Sequence, residues 1–128
     1  MISADFEKTE GKKVACGAID AKVRIFEINT VVKKKEKNIH KNMPIHELVG
    51  HQGSIQCCKF LSGNFLISGS SDAKVCVWDL ESPQVYLSMH NDHTADVLCM
   101  ATYENDSNIF LTGFVFRAIH ILNYYVFI

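Results

Sequence analysis

Short segments in which apolar and polar residues alternate follow one another along this chain, separated by turn-forming residues. Residues 54–60 (SIQCCKF) and 75–78 (VCVW) are rich in β-branched and aromatic side chains. Gly63-Asn64 and Ser70-Ser71-Asp72 supply turn residues between them. No segment of convincing length has the 3.6-residue period of a helix. The pattern predicts an all-β chain.

Two internal correspondences arrange these strands in repeated units. Residues 14–28 (VACGAIDAKVRIFEI) align without gaps on residues 66–80 (LISGSSDAKVCVWDL) and share the whole Asp-Ala-Lys-Val segment. The segment that begins at His51 (HQGSIQC) aligns on the segment that begins at His93 (HTADVLC), 42 residues further along. A repeat of this length is characteristic of the four-stranded units of β-propellers.

Composition excludes several classes of protein. Lys and Arg number 13 against 14 Asp and Glu, so the net charge of −1 gives no bulk attraction for nucleic acid or anionic membrane. None of the five cysteines has Cys-x-x-Cys spacing and the N-terminus carries no secretory signal, which indicates free thiols in a reducing compartment. No apolar segment is long enough to span a bilayer.

The dipeptides Gly50-His51 and Trp78-Asp79 resemble the signature of a WD40 repeat. The resemblance implies that His51, Ser68, Asp72 and Trp78 form a buried hydrogen-bonded network. The chemistry of these groups fits, because an indole N–H only donates, a carboxylate only accepts, and His and Ser can do both. We therefore expect a structural network at these positions.

Four further segments narrow the resemblance to one family of WD40 proteins. Residues 14–20 (VACGAID) and 57–61 (CCKFL) resemble the β subunit of heterotrimeric G proteins. Residues 95–99 (ADVLC) and a Lys-rich insertion at 31–43 are most similar to the divergent β subunit that associates with regulators of G-protein signalling, the RGS proteins. The similarity covers residues 1 to about 113 and implies part of a seven-bladed propeller.

We predict about two to three four-stranded antiparallel blades. Residues 1–49 are expected to form a partial blade with the insertion at 31–43, residues 50–90 a complete repeat, residues 91–113 the start of another repeat, and residues 114–128 a divergent apolar tail. In that tail Phe116 stands where the family has a turn Asp, and Leu122 stands where it has Trp. Both a degenerate third strand and a truncated or mis-spliced reading frame fit this segment.

An incomplete propeller has a physical consequence. Repeat architectures are stabilised by the contacts between neighbouring repeats, and a closed ring leaves no repeat without a neighbour. Fewer than four blades would expose apolar faces at both ends of the stack. We therefore expect the isolated chain to be marginally stable, oligomeric or prone to aggregation.

Candidate chemistry is sparse, and we expect neither an enzyme nor a cofactor. His51, Ser68 and Asp72 are the residue types of a hydrolase triad, but the repeat assigns them to a core network and no Gly-x-Ser-x-Gly motif is present. His90 and His93 are expected to be solvated or capping residues rather than metal ligands, because no second Cys/His pair has zinc-site spacing.

The cysteines and the lysine cluster also have two interpretations. Cys57, Cys58 and Cys99 lie in strand patterns, where small buried hydrophobes are more common than redox pairs. The cluster Lys33–Lys37 is either a solvated loop or a contact for an acidic lipid or partner. We favour the solvated loop.

The resemblance implies a non-catalytic interaction scaffold in G protein-coupled receptor signalling. By register, its contact face toward a G protein α subunit comprises Ile19, Ala21, Gln52, Ser54, Ser71, Asp96 and Leu98. Asp96 agrees with the family and Ile19 is a close substitute, whereas Ala21, Ser54, Ser71 and Leu98 depart from it. The loss of an aromatic residue at Ser54 favours the RGS-associated type.

The implied partners are a G protein α subunit and a G protein γ subunit, or the γ-like domain of an RGS protein. Nucleic acid is not expected, and membrane association is expected only through partners, at the inner face of the plasma membrane in a cytoplasmic protein. Two alternatives stay open at this point. The chain is otherwise a generic WD40 adaptor of another complex, or a non-functional truncated gene product.

Overall fold

The computed structural model describes residues 2–28, 43–61, 64–82, 84–89, 94–103, 109–116 and 119–126. Residues 31–42 of the predicted insertion lie outside the described residues, and so do His90 and His93. The strands of the described chain are β1 (Ser3–Phe6), β2 (Lys13–Gly17), β3 (Lys22–Glu27), β4 (His46–Val49), β5 (Ile55–Phe60), β6 (Phe65–Ser70), β7 (Val75–Asp79), β8 (Gln84–Met89), β9 (Val97–Thr102), β10 (Ile109–Phe116) and β11 (Ile119–Val126).

These strands form three antiparallel sheets. The first sheet has the order β1-β2-β3-β4, the second β5-β6-β7-β8, and the third β11-β10-β9. All described regular elements are strands, so the all-β prediction is confirmed. The first sheet, which we predicted as a partial blade over residues 1–49, contains four strands because β4 pairs with β3 beyond the insertion.

The shared Asp-Ala-Lys-Val segment makes the same turn in two sheets. It follows β2 in the first sheet and β6 in the second, and it places Ala21 at φ 64° and Ala73 at φ 62°. This left-handed backbone is unfavourable for residues that carry a Cβ. The sequence repeat is therefore also a repeat of a strained backbone conformation.

A β-bulge recurs in the first strands of the second and third sheets. In the second sheet Ile55 pairs with Ser70 and Cys57 with Gly69, so one residue of β5 is skipped. In the third sheet Val97 pairs with Phe114 and Cys99 pairs with Gly113, so Leu98 of β9 is skipped. Bulges bend a strand and redirect its side chains, and here the bend turns Ile55 and Val97 toward the preceding sheet.

Glycine allows the sheets to approach one another closely. A Cβ on Gly17 would lie 2.5 Å from Ile55 Cγ2, and a Cβ on Gly69 would lie 2.6 Å from Val97 Cγ1. Both distances are shorter than any contact that a real Cβ makes. Because each of these glycines has no side chain, it leaves space for a β-branched side chain of the next sheet.

Two apolar clusters fill the spaces between the sheets. The first lies between the first and second sheets and contains Ala15, Val23, Ile25, Leu48, Ile55, Cys58, Phe60, Leu66, Cys76, Trp78 and Leu80. The second lies between the second and third sheets and contains Cys57, Ile67, Val75, Val77, Val97 and Phe110. The sheets are thus stacked face to face, with the second sheet covered on both faces.

Polar side chains of β1 join the first sheet to the edge of the second. Ser3 Oγ accepts a hydrogen bond from the backbone N–H of Cys58 at 3.2 Å, and Asp5 Oδ2 accepts one from Phe60 N–H at 2.9 Å. Lys59 Nζ also donates to Asp5 Oδ1 at 3.0 Å. These bonds satisfy amides of β5 that do not face β6.

The predicted divergent tail at 114–128 contains the end of β10 and all of β11. Gly113 pairs with Leu122, whereas Gly69, its counterpart in the second sheet, pairs with Val75. The hairpin of the third sheet is therefore three residues longer. No Asp-Ala-Lys turn interrupts residues 114–116, so β10 continues to Phe116 before the chain reverses.

Candidate functional site

Four side chains from the strands and loops of the second sheet form a buried chain of hydrogen bonds. His51 Nδ1 lies 3.0 Å from Asp72 Oδ2, and His51 Nε2 lies 2.8 Å from Ser68 Oγ. Trp78 Nε1 donates to the same Ser68 Oγ at 2.8 Å. Ser68 is fully buried, and His51 and Trp78 are nearly so. The structure thus brings together the four residues assigned to the WD40 network.

Donor and acceptor chemistry fixes the direction of these bonds. The Trp78 indole donates to Ser68 Oγ, so the Ser68 hydroxyl is free to donate its proton to His51 Nε2. His51 Nδ1–H then donates to the Asp72 carboxylate. Burial lowers the pKa of His51 below its ordinary value, although the hydrogen bond to Asp72 opposes this shift. The ring is therefore neutral at pH 7.

Asp72 anchors the network to the backbone. Burial alone would raise the pKa of Asp72, but the hydrogen bonds that it accepts from Gln52 N–H at 2.8 Å, from Lys74 N–H at 3.0 Å and from the His51 ring lower it overall. The carboxylate is therefore ionised, and it fixes both the loop before β5 and the turn after β6.

The hydrogen-bonded series Asp72, His51 and Ser68 has the order of a hydrolase triad, but its surroundings differ from those of an active site. Ser68 Oγ is buried and already receives the Trp78 N–H, so no carbonyl of a substrate can reach it. The arrangement instead holds two strands and a loop in register.

The buried cysteines are poorly suited to redox or nucleophilic chemistry. Burial raises the pKa of Cys57 to about 12 and that of Cys58 to about 11, so both thiols are protonated near neutral pH. The two residues point to opposite faces of β5, because Cys58 packs in the first apolar cluster and Cys57 in the second. Within the described residues, no group of three His, Cys, Asp or Glu side chains is arranged to hold a metal ion.

The seven residues of the predicted contact face lie at one end of the stacked sheets. Ile19 and Ala21 are in the turn after β2, Ser71 is in the turn after β6, and Gln52 and Ser54 precede β5. The remaining two are at the start of the third sheet: Asp96 precedes β9, and Leu98 is its bulged residue.

Direct bonds connect the turns at this end. Ser71 N–H donates to the Ser54 carbonyl at 3.0 Å, the hydroxyls of the same two residues lie 3.1 Å apart, and Ile55 N–H donates to the Ala18 carbonyl at 3.0 Å. Sequence reasoning missed this Ser54–Ser71 pair, although two serines beside aligned turns were a usable signal. The pair gives the Ser54 hydroxyl a partner in the neighbouring turn.

The seven residues of the predicted contact face differ strongly in solvent exposure. Ile19 is 77% exposed and Leu98 37% exposed. Gln52 and Asp96 are also exposed, whereas Ala21, Ser54 and Ser71 are half-buried. Ile19, Gln52, Asp96 and Leu98 are therefore available to a partner, and the half-buried residues shape the surface between them.

Comparisons with known proteins agree with the repeat geometry. The family described as "WD domain, G-beta repeat" matches residues 42–79. The guanine nucleotide-binding protein subunit beta of Lymnaea stagnalis is 34% identical over 92 residues, which cover 72% of this chain and 25% of that protein. The guanine nucleotide-binding protein subunit beta-1 of Caenorhabditis briggsae is 32% identical over 103 residues, covering 80% of this chain and 28% of that protein.

One segment of the chain thus matches the WD40 repeat, and most of the chain is similar to G protein β subunits. The chain spans about a quarter of the length of the curated relatives that it matches. Its three stacked sheets are part of a β-propeller, and the second sheet carries the WD40 dipeptides. Among the described residues no helix is long and apolar enough to cross a membrane.

Proposed function

We propose that this chain acts as a non-catalytic interaction scaffold in G protein-coupled receptor signalling, as part of a protein of the G protein β type. The observation that carries the proposal is the gathering of Ile19, Gln52, Asp96 and Leu98 at one exposed end of the sheets. The relatives are named as β subunits of guanine nucleotide-binding proteins, and the partner that we propose for this chain is the α subunit of such a protein.

The chemistry of this end suits a protein partner. Ile19 and Leu98 present apolar area and Gln52 and Asp96 present polar groups, the usual mixture at the centre and rim of an interface. The backbone at Gln52 and at the adjacent Ser54 is held by the Asp72 and Ser54–Ser71 bonds, so little conformational entropy is lost there when a partner binds.

The departures at Ala21, Ser54 and Ser71 favour the divergent β subunit that associates with RGS proteins. Small residues at these half-buried positions leave a flatter surface without a large anchor, and aromatic anchors often dominate interface energetics. We expect weaker binding of α subunits than a conventional β subunit shows. The partner in place of a γ subunit would then be the γ-like domain of an RGS protein. We expect this chain alone to bind that domain poorly.

Location follows from these partners. We propose a cytoplasmic protein that reaches the inner face of the plasma membrane only through its complexes. The near-neutral net charge of −1 offers no independent attraction to anionic lipid.

Asp96→Ala tests the contact face. We expect it to weaken binding of the full chain to an immobilised GDP-bound G protein α subunit at least about fivefold in a biosensor assay, because an exposed interface carboxylate is lost. Glu10→Ala is the matched control, since this carboxylate is also exposed and lies in the turn between β1 and β2, at the opposite end. It should leave binding unchanged.

Equal affinities of all three proteins would show that the contact face is elsewhere. No binding by the unmodified chain would instead favour the second candidate, a WD40 adaptor of another complex. The match of the general WD40 family over residues 42–79 is the observation that supports this candidate.

A further inference from the structure

A cavity of about 270 Å³ lies between the first and second sheets, at the end opposite the predicted contact face. Its lining comes from the β1–β2 and β5–β6 turns with the adjoining strand ends, and from the residue that follows β7. The two sheets are neighbours within this chain, because β1 packs against β5. The cavity is smaller than the roughly 300–1,000 Å³ of sites that hold drug-sized ligands, so it suits a single long side chain.

The cavity has an apolar wall and an acidic wall. Phe60 and Leu80 are buried, Phe65 is half-buried, and all three line the cavity from the second sheet. Glu7 and Glu10 line it from the first sheet. Because carboxylates only accept hydrogen bonds, a group that fits both walls needs an apolar stem and a head that donates.

The Glu7 carboxylate is the acceptor without a donor in this cavity. Its side chain is 15% exposed, and Oε1 lies 3.6 Å from Lys13 Nζ, which is longer than a hydrogen bond. Its Oε2 is buried and has no hydrogen-bond partner among the described residues. Since most buried polar side-chain atoms have such a partner, this carboxylate is suited to accept a hydrogen bond from a group that enters the cavity.

The other polar groups around the cavity are already bonded, and the balance of charge is acidic. Lys12 Nζ donates to Glu10 Oε2 at 2.9 Å, and Asn64 Nδ2, on the lining, donates to Glu81 Oε1 at 2.9 Å. Within the described residues, the charged lining residues and the charged hydrogen-bond partners of the lining are three carboxylates and two ammonium groups: Glu7, Glu10 and Glu81 against Lys12 and Lys13. This excess of negative charge favours a cationic head.

Arginine has the stem and the head that this cavity requires. Its methylene groups can pack on Leu80, and its planar guanidinium can stack on the ring of Phe65 and donate to both oxygens of a carboxylate. Lysine has a similar stem, but its ammonium group is more strongly hydrated and cannot form the planar pair. The chemistry therefore favours arginine over lysine.

We propose that this cavity binds the side chain of an arginine on a partner peptide, whose guanidinium donates to the Glu7 carboxylate. The last torsion of a glutamate side chain is broad, so the carboxylate can turn either oxygen toward the cavity. Asp96 and Leu98 lie at the other end of the sheets, so a peptide bound here leaves the predicted contact face free. The chain would then hold two partners at once, one at each end.

A peptide titration of the full chain, followed by NMR, is the first test. The probe is a capped pentapeptide with one arginine between glycines, and the matched peptide carries citrulline, which has the length of arginine but no charge. We expect the arginine peptide to shift the amide signals of Thr9 and Leu61 saturably, and the citrulline peptide to bind at least about tenfold more weakly. Equal affinities, no saturable shifts, or shifts confined to the predicted contact face would overturn the proposal.

Glu7→Gln removes the charge while keeping the size of the side chain. It should weaken binding of the arginine peptide at least about tenfold, because the charged acceptor is lost. Glu10→Gln is the matched control, since this carboxylate lines the same cavity but is 65% exposed and paired with Lys12. It should weaken binding less than about twofold. Asp96→Ala should leave peptide binding unchanged, which separates this site from the predicted contact face.

The urea unfolding midpoint of Glu7→Gln separates binding from folding. Because no described residue donates a hydrogen bond to Oε2 and the Lys13 contact is long, the midpoint should not fall. A lower midpoint or a loss of the native fold would show that the carboxylate serves the fold instead, and would overturn the proposal. Unweakened binding of the arginine peptide by Glu7→Gln would overturn it as well.

Discussion

The first and second sheets share a turn sequence but use it differently. In the second sheet Asp72 is 8% exposed and joins His51 to two backbone amides. In the first sheet Asp20 is 49% exposed and pairs with Arg24 at 2.6 Å. The local turn is the same, since both have an alanine at positive φ. The difference arises from the residues that the turn meets.

The two sheets differ at two aligned positions of the repeat, beside the shared turn. Ser68 and Trp78 of the second sheet are replaced by Cys16 and Phe26 in the first. Neither replacement offers the donor and acceptor pattern that a buried histidine requires. The comparison shows that the Asp-Ala-Lys-Val segment encodes a turn, whereas the buried network also needs Ser, His and Trp.

Asp72→Asn against Asp20→Asn is the strongest test of this difference. Asp72→Asn should lower the free energy of unfolding by about 2–3 kcal/mol, because an amide group then faces donors that a carboxylate accepted. Asp20→Asn should change it far less, since its ion pair is exposed to solvent. Urea unfolding of both variants measures the two values, and equal losses would refute the distinction.

Acid should weaken the second sheet through His51. The pKa of His51 is lower in the folded chain than its ordinary 6.5, so the unfolded chain binds the proton first. Above pH 6.5 the full contribution of the neutral His51 ring to the free energy of unfolding is present. As the pH falls from 6.5 toward the folded pKa, the free energy of unfolding decreases by up to about 1.4 kcal/mol per pH unit.

Urea unfolding between pH 7.5 and pH 5 measures this effect, with His51→Asn as the control. The variant is less stable throughout but should show a flatter pH dependence, since the titrating ring is gone. Identical slopes for the two proteins would contradict the assignment.

The smallest expected effect concerns the turn that the two sheets share. Ala73→Gly and Ala21→Gly should each raise the free energy of unfolding by up to about 1 kcal/mol, because glycine adopts positive φ without steric cost. The gain should be similar in both sheets. A loss of stability at either position, measured by thermal unfolding, would show that the methyl group contributes packing.

The repeat made most of the strands predictable. The segments 54–60 and 75–78, which have the strand pattern, are observed as the strands Ile55–Phe60 and Val75–Asp79. Alternation and turn residues are local signals, so they survive without knowledge of the remaining structure.

Features that depend on distant neighbours were not predictable in the same way. Gly17 and Gly69 were visible as aligned glycines, but their role depends on Ile55 and Val97, which other sheets supply. The extension of β10 to Phe116 follows from the absence of a turn, and sequence register alone placed that residue at a turn. Likewise, the candidate site residues were assigned through the resemblance to WD40 proteins, while the Ser54–Ser71 bond depends on two turns that meet only in the folded chain.

The bonds from Ser3 and Asp5 to β5 give the chain a built-in reporter. The amides of Cys58 and Phe60 are covered by side chains of another sheet, not by a partner strand. Their hydrogen exchange therefore measures how often the first two sheets separate, independently of whether β5 stays within its own sheet. The NMR signals of these two amides can thus follow the separation of the first sheet from the second while the strands of both sheets remain paired.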